Sequence, residues 1–153
     1  MQTGKNMKIL TIHGPNLNLL GRREPEVYGA KSLKTINHEI ECRGKALAII
    51  TTCLQSNHEG EIIDWLHKAE NEGFSGIIIN PAAFTHTSVA IRDAIASIEL
   101  PVIEVHLSNI SARDDFRQKS LTAAVCRGSI SGFGSASYLV ALETFKLLLT
   151  QPS

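Results

Sequence analysis

Gly76-Ile77-Ile78-Ile79-Asn80, closed by Pro81, is an apolar run with no polar residue at its centre. A half-buried strand alternates apolar and polar positions. An unbroken run this short instead marks a strand covered on both faces, as in a parallel sheet flanked by helices. The neighbouring segments agree. Upstream, Glu59 to Asn71 carries Ile62, Ile63, Leu66 and Ala69 at helical spacing, with Gly73 beyond it. Downstream, Thr87 or Ser88 can cap a helix carrying Val89, Ile91, Ala94, Ile95 and Ile98, and Pro101 ends that segment.

The same alternation runs through the rest of the chain. Ile9-Leu10-Thr11-Ile12 is a first strand. Ser32 caps a helix to about Arg43 with Leu33, Ile36 and Ile40 on its apolar face, and Gly44 is placed to end it. Ala46 to Cys53 is a second strand, and Val102 to Val105 a fourth. A helix bearing Phe116, Leu121 and Ala124 follows, then a weaker fifth strand at Gly128 to Gly132. Ala136 to Leu149 is an apolar last helix. Strands alternating with helices imply βαβ units. The expectation is one doubly wound α/β domain over residues 8–150, a five-stranded parallel sheet with helices on both faces, preceded by a flexible leader at residues 1–7.

At 153 residues the chain has the size of one domain. Fifteen basic and fifteen acidic residues cancel, so a nucleic acid or an anionic membrane, which needs a basic face, is not a favoured partner. The three cysteines, Cys42, Cys53 and Cys126, form no CxxC pair, which leaves zinc and dithiol chemistry unsupported. No apolar run reaches membrane-spanning length and no signal peptide is visible. The expected setting is soluble, reducing and cytoplasmic. Gly29 to Ser32 lacks the first glycine of a phosphate loop, and Gly132-Phe133-Gly134 lacks the third of a dinucleotide fingerprint. No metal and no cofactor are assigned.

In such sheets ligands bind beyond the carboxyl ends of the strands, where the strand order reverses. The segments there are rich in chemistry. After the first strand come Asn16, Arg22, Arg23 and Tyr28, in a loop too long to be a bare connection. Gln55, Ser56 and Asn57 follow the second strand. Asn80, Thr85 and His86 follow the third, and Glu104, His106, Ser108, Asn109 and Arg113 the fourth. Amides, hydroxyls and guanidiniums suit a small, hydroxylated, anionic substrate. A phenol is a poor base at its reference pKa of ~10, but nearby arginines favour phenolate. His86 and His106 are candidate acids, and Glu104 shares a strand face with His106. Packing for Tyr28, helix capping for His86, a turn role for Asn16 and a structural Glu104–His106 pair stand beside these readings. His13, His38, His58 and His67 are read as surface or core residues.

Four blocks, GPNLNLLGRREPEVYG, QSNHEGEIIDWLH, NPAAFTHTSVAIRDA and PVIEVHLSNISARDDFR, resemble in order and spacing those of the type II 3-dehydroquinate dehydratases. The resemblance covers Lys8 to Leu149. It implies a flavodoxin-like fold, no cofactor, and a homododecamer built as four trimers. It also implies reversible anti elimination of water from 3-dehydroquinate through an enolate, in shikimate biosynthesis or quinate breakdown. By resemblance Tyr28 is the base, Arg23 holds its phenolate, and Asn16 holds the water that stabilises the enolate. His106 is the acid, oriented by Glu104. Asn80, His86 and Arg117 hold substrate hydroxyls, Leu107 and Ser108 its carboxylate, and Arg113 closes over the site. Asp93 reaches a neighbouring subunit's site. Ala82 and Phe84 stand where many members have glycine and tyrosine, and Ser111 replaces a frequent histidine. No lysine is obviously placed for a Schiff base. The alternative is a non-catalytic flavodoxin-like module that binds a nucleotide, flavin or other small molecule.

Overall fold

Successive side chains of β1 (Met7–His13) enter two different cores, Ile9 one and Leu10 and Ile12 the other. This is what a strand buried on both faces requires. The computed structural model describes residues 6–22, 24, 26 and 30–150. β3 (Gly76–Asn80) is buried throughout and alternates in the same way, with Ile78 in the first core and Ile77 and Ile79 in the second. β2 (Ile49–Gln55), β4 (Val102–His106) and β5 (Gly128–Ser131) complete a five-stranded sheet. Its order is β2-β1-β3-β4-β5, and every pairing is parallel. The fold is therefore the expected flavodoxin-like doubly wound sheet.

The first core lies under α1 (Leu33–Ala46) and α5 (Ala136–Thr150), through Ile36, Ile40, Tyr138, Leu142 and Phe145. The second lies under α2 (Glu59–Lys68) and α3 (Val89–Ser97), through Ile62, Leu66, Ile91 and Ile95. Two serines cap as expected: Ser32 Oγ accepts from Thr35 N and Ser88 Oγ from Ile91 N. No helix among the described residues is long and apolar enough to cross a membrane.

Some boundaries differ from the sequence expectation. β1 begins at Met7, inside the segment read as a leader. Gly44 does not end α1, which runs on to Ala46. A Cβ at Gly44 would lie 2.6 Å from Thr51 Cγ2 and 2.9 Å from Ile49 O, so glycine is there for close helix-to-strand packing. β2 accordingly starts later, at Ile49 rather than Ala46. α2 ends at Lys68 rather than Asn71. The long helix expected through Phe116, Leu121 and Ala124 is instead the short α4 (Asp115–Gln118), an extended segment, and a 3-10 turn at Ala123–Val125. Phe116 is exposed, so it offers no apolar face to dock a longer helix.

Candidate active site

The strand order reverses between β1 and β3, and the segments leaving β1, β3 and β4 converge there. They line a cleft of about 140 Å³. Gly14 lets two of these segments touch: a Cβ there would sit 2.6 Å from Pro81 O and 2.9 Å from Asn80 O. Asn16, next along, adopts φ 67, the left-handed conformation that asparagine tolerates. Its backbone N–H donates to Asn57 Oδ1 at 2.9 Å. The β2 segment thus braces the cleft without lining it.

Eight of the twelve expected site residues line this cleft: Asn16, Asn80, His86, His106, Leu107, Ser108, Arg113 and Arg117. Glu104 lies beneath it, fully buried, bonded to His106. Asp93 is on the exposed side of α3 and does not line the cleft. Arg23 and Tyr28 lie outside the described residues.

The acid candidate is defined by its partner. His106 Nε2 lies 2.8 Å from Glu104 Oε2. A carboxylate only accepts, so Nε2 carries the proton and Nδ1 is the nitrogen left for the cleft. Glu104 in turn accepts from Thr85 Oγ1 at 3.0 Å, from Ser120 Oγ at 2.8 Å, and from Thr122 Oγ1. Burial works to raise the Glu104 carboxyl, but the hydrogen bond and charge of His106 and the bonds from Thr122 and Ser120 outweigh it. The net effect holds Glu104 below its ordinary value. The second histidine is fixed differently. His86 Nδ1 lies 2.7 Å from Lys119 O, and a carbonyl only accepts, so Nδ1–H is the donor. A neutral His86 then offers Nε2 as an acceptor, which suits a binder of hydroxyl groups. The structure thus separates two histidines that the residues alone left as equal acid candidates.

Asn80 closes the floor. Its Nδ2 donates to Tyr138 OH at 3.0 Å and its Oδ1 accepts from Ala82 N at 3.0 Å. Tyr138 OH lies 2.9 Å from His13 Nδ1, and His13 Nε2 lies 2.8 Å from Asn37 Oδ1. One orientation satisfies this whole chain: Asn80 donates to Tyr138, Tyr138 to His13, and His13 to Asn37. Burial pushes the Tyr138 phenol well above its usual range, with the Asn80 bond opposing weakly. Burial lowers His13 to about 4, against the Asn37 bond. The chain is therefore neutral at physiological pH.

Arg113 reaches Ser108 Oγ at 3.4 Å, and Arg117 lies 4.6 Å over the Phe116 ring while pairing with Asp114. Both guanidiniums stand at the rim, where an anionic group would enter. Sequence alone marks Thr85 only as one of the polar residues after β3, and gives Ser120 and Thr122 no role. As i and i+2 in a helix they would face apart. In the extended segment that begins at Lys119 they face the same carboxylate.

Comparison with known proteins identifies the family. The family model Dehydroquinase class II matches residues 7–146. A 3-dehydroquinate dehydratase of Halothermothrix orenii is 56% identical over 146 residues, covering 95% of this chain and 98% of the relative. One of Deinococcus radiodurans is 53% identical over 135 residues, with coverage of 88% and 94%. The crystal structure of a type II dehydroquinase from Butyrivibrio crossotus superimposes with a TM-score of 0.90 at 47% identity, covering 92% of this chain and 98% of that one.

Proposed function

The chain belongs to the class II dehydroquinases, a family of hydro-lyases, and we propose that it dehydrates 3-dehydroquinate to 3-dehydroshikimate by anti elimination through an enolate. The non-catalytic alternative gives way to this enzyme family. The observation that carries the mechanism is the buried Glu104–His106 pair at the cleft floor, with only His106 Nδ1 left to face a ligand. Loss of water from a β-hydroxy ketone needs a base, an enolate stabiliser and an acid for the departing hydroxyl.

Tyr28, held as phenolate by Arg23, takes the C2 proton. Electron density moves onto the carbonyl oxygen, and the enolate is stabilised through a water held by Asn16, whose side-chain amide makes no hydrogen bond among the described residues. His106, charged and backed by Glu104, then passes its Nδ1 proton to the leaving C1 hydroxyl. Water departs, the double bond forms, and the imidazole is left neutral. Asn80, His86 and Arg117 hold hydroxyls, and Leu107 and Ser108 hold the carboxylate, mainly through backbone N–H groups. Arg113 closes over the site, and Asp93, being outside its own cleft, serves a neighbouring subunit's site. A homododecamer of four trimers would also cover apolar side chains left exposed on α5 (Val140, Leu147 and Leu148) and α3 (Val89). The reading places the enzyme in the cytoplasm, in shikimate or quinate metabolism.

The test is enone absorbance on mixing the protein with 3-dehydroquinate. Wild type produces a rising enone band, whereas Tyr28→Phe abolishes turnover and still binds substrate. A Tyr28→Phe variant that kept most of its kcat would remove the base assignment.

A further inference from the structure

The proton of a general acid is useful only if it sits on the nitrogen that faces the substrate. For His106 that depends on Glu104, a carboxylate with no exposure to solvent. A buried carboxylate with unfilled lone pairs becomes protonated, and as a carboxyl it could donate to Nε2 and force the opposite tautomer. Around Glu104 four donors converge instead, three on Oε2 and one on Oε1. A carboxylate takes about four hydrogen bonds, and the donors present are His106 Nε2–H and the hydroxyls of Thr85, Ser120 and Thr122.

The acceptor-only carboxylate sets the donor direction of Ser120: its Oγ donates to Glu104 Oε2 at 2.8 Å while accepting from Ala123 N at 3.0 Å. Thr85 Oγ1 also lies 2.8 Å from Thr122 Oγ1 and 2.6 Å from Ser120 Oγ, so the three hydroxyls cluster around the carboxylate. The segment supplying Ser120 and Thr122 is tied down independently. Leu121 N donates to Thr85 O at 2.7 Å, and Arg92 Nη1 donates to Leu121 O at 2.9 Å. It also supplies the Lys119 carbonyl that fixes His86. One extended strap therefore sets the hydrogen-bonding state of both cleft histidines.

We propose that Thr85, Ser120 and Thr122 are positioning residues for the acid step, keeping Glu104 ionised so that His106 carries its fixed proton on Nε2 and exchanges protons with substrate through Nδ1. The consequence for the reaction rests on the dehydratase reading; the effect on the His106 tautomer does not. Among the described residues, the titratable groups facing Glu104 are His106 from β4 and the thiol of Cys126. Burial, reinforced by the Glu104 charge, pushes that thiol up to about 12, so it stays neutral. His86 and Arg92 are engaged with carbonyls of the strap.

The experiment uses the full-length protein and the variants Thr122→Val, Ser120→Ala and Thr122→Ser. Their folding is checked by thermal melting, and their His106 ring state by ¹⁵N NMR at a pH where the ring is neutral. In wild type the neutral ring shows a protonated Nε2 alone. Thr122→Val shows a mixture of tautomers, lowers kcat roughly ten- to a hundredfold with KM little changed, and moves the acid limb of the kcat profile to higher pH. Ser120→Ala does the same more weakly, and Thr122→Ser restores all three properties. Unchanged tautomers in a folded Thr122→Val or Ser120→Ala protein would overturn the inference, as would a kcat loss that is uniform across pH. If Thr122→Val does not fold, Ser120→Ala decides. Absence of dehydration in wild type would strike the functional reading alone, leaving the ¹⁵N result to judge the hydroxyls.

Discussion

Among the described residues, two buried polar networks underlie the cleft, one around Glu104 and one beneath Asn80, and they solve different problems. Beneath His106 a single carboxylate is surrounded by four donors. Beneath Asn80 a phenol, an imidazole and two amides form a chain in which each group donates to the next. The first network buries a charge and needs several converging donors, because an isolated ion in a protein interior is far costlier than a neutral dipole. The second buries no charge and needs only a consistent direction. The charged network sits where a proton must move, and the neutral one where a side chain must stay still.

Breaking the charged network has the largest effect. Glu104→Gln removes the negative charge while keeping the shape, and it puts an amide donor against hydroxyls that were themselves donating. Steady-state assay is expected to show kcat down by about two orders of magnitude or more, with KM changed far less. A parallel rise in KM would instead place Glu104 among the binding groups.

The next effect separates the networks by pH. His13 has an ordinary value of 6.5 in the unfolded chain and about 4 in the folded one. The unfolded state thus binds the extra proton between these values, and stability falls as pH drops through that window, by up to roughly 3 kcal/mol. The depressed Glu104 contributes the same sign, but only as pH falls below its ordinary 4.5. Urea unfolding between pH 7 and 5 should therefore show a decline in wild type that disappears in His13→Asn. An equal decline in both proteins would assign the mild-acid sensitivity elsewhere.

A smaller loss is expected from Tyr138→Phe. It strands the Asn80 Nδ2 donor and the His13 ring nitrogen without changing volume much, a cost of roughly 1–3 kcal/mol in chemical unfolding. Because Asn80 also lines the cleft, KM should rise several-fold with kcat nearly constant. A fall in kcat at constant KM would mean that the neutral network takes part in the chemistry.

The same contrast explains what the residues alone could reveal. The all-buried GIIIN run gave the parallel sheet directly, since burial on both faces writes itself as unbroken apolarity. The cleft residues were legible because strand ends in such a sheet must converge, so Asn16, Asn80, His86, His106 and Arg113 could be gathered before any contact was known. The hydroxyl cradle was hidden behind the helix expected through Leu121, in which Ser120 and Thr122 would diverge. The neutral chain was hidden because its pairing of His13 with Tyr138 spans 125 positions, and no local periodicity marks such a contact. Ala82 was hidden in the same way: its φ of 51 is a strained value for an L residue, which only the folded backbone reveals.

The central claim is that His106, poised by Glu104, is the acid that releases water. The most direct measurement compares His106→Ala with wild type for two quantities, kcat from enone formation and the dissociation constant of 3-dehydroquinate. The expected result is a kcat lowered at least about a hundredfold with affinity held within a few-fold. A His106→Ala enzyme that turned over within tenfold of wild type would contradict it.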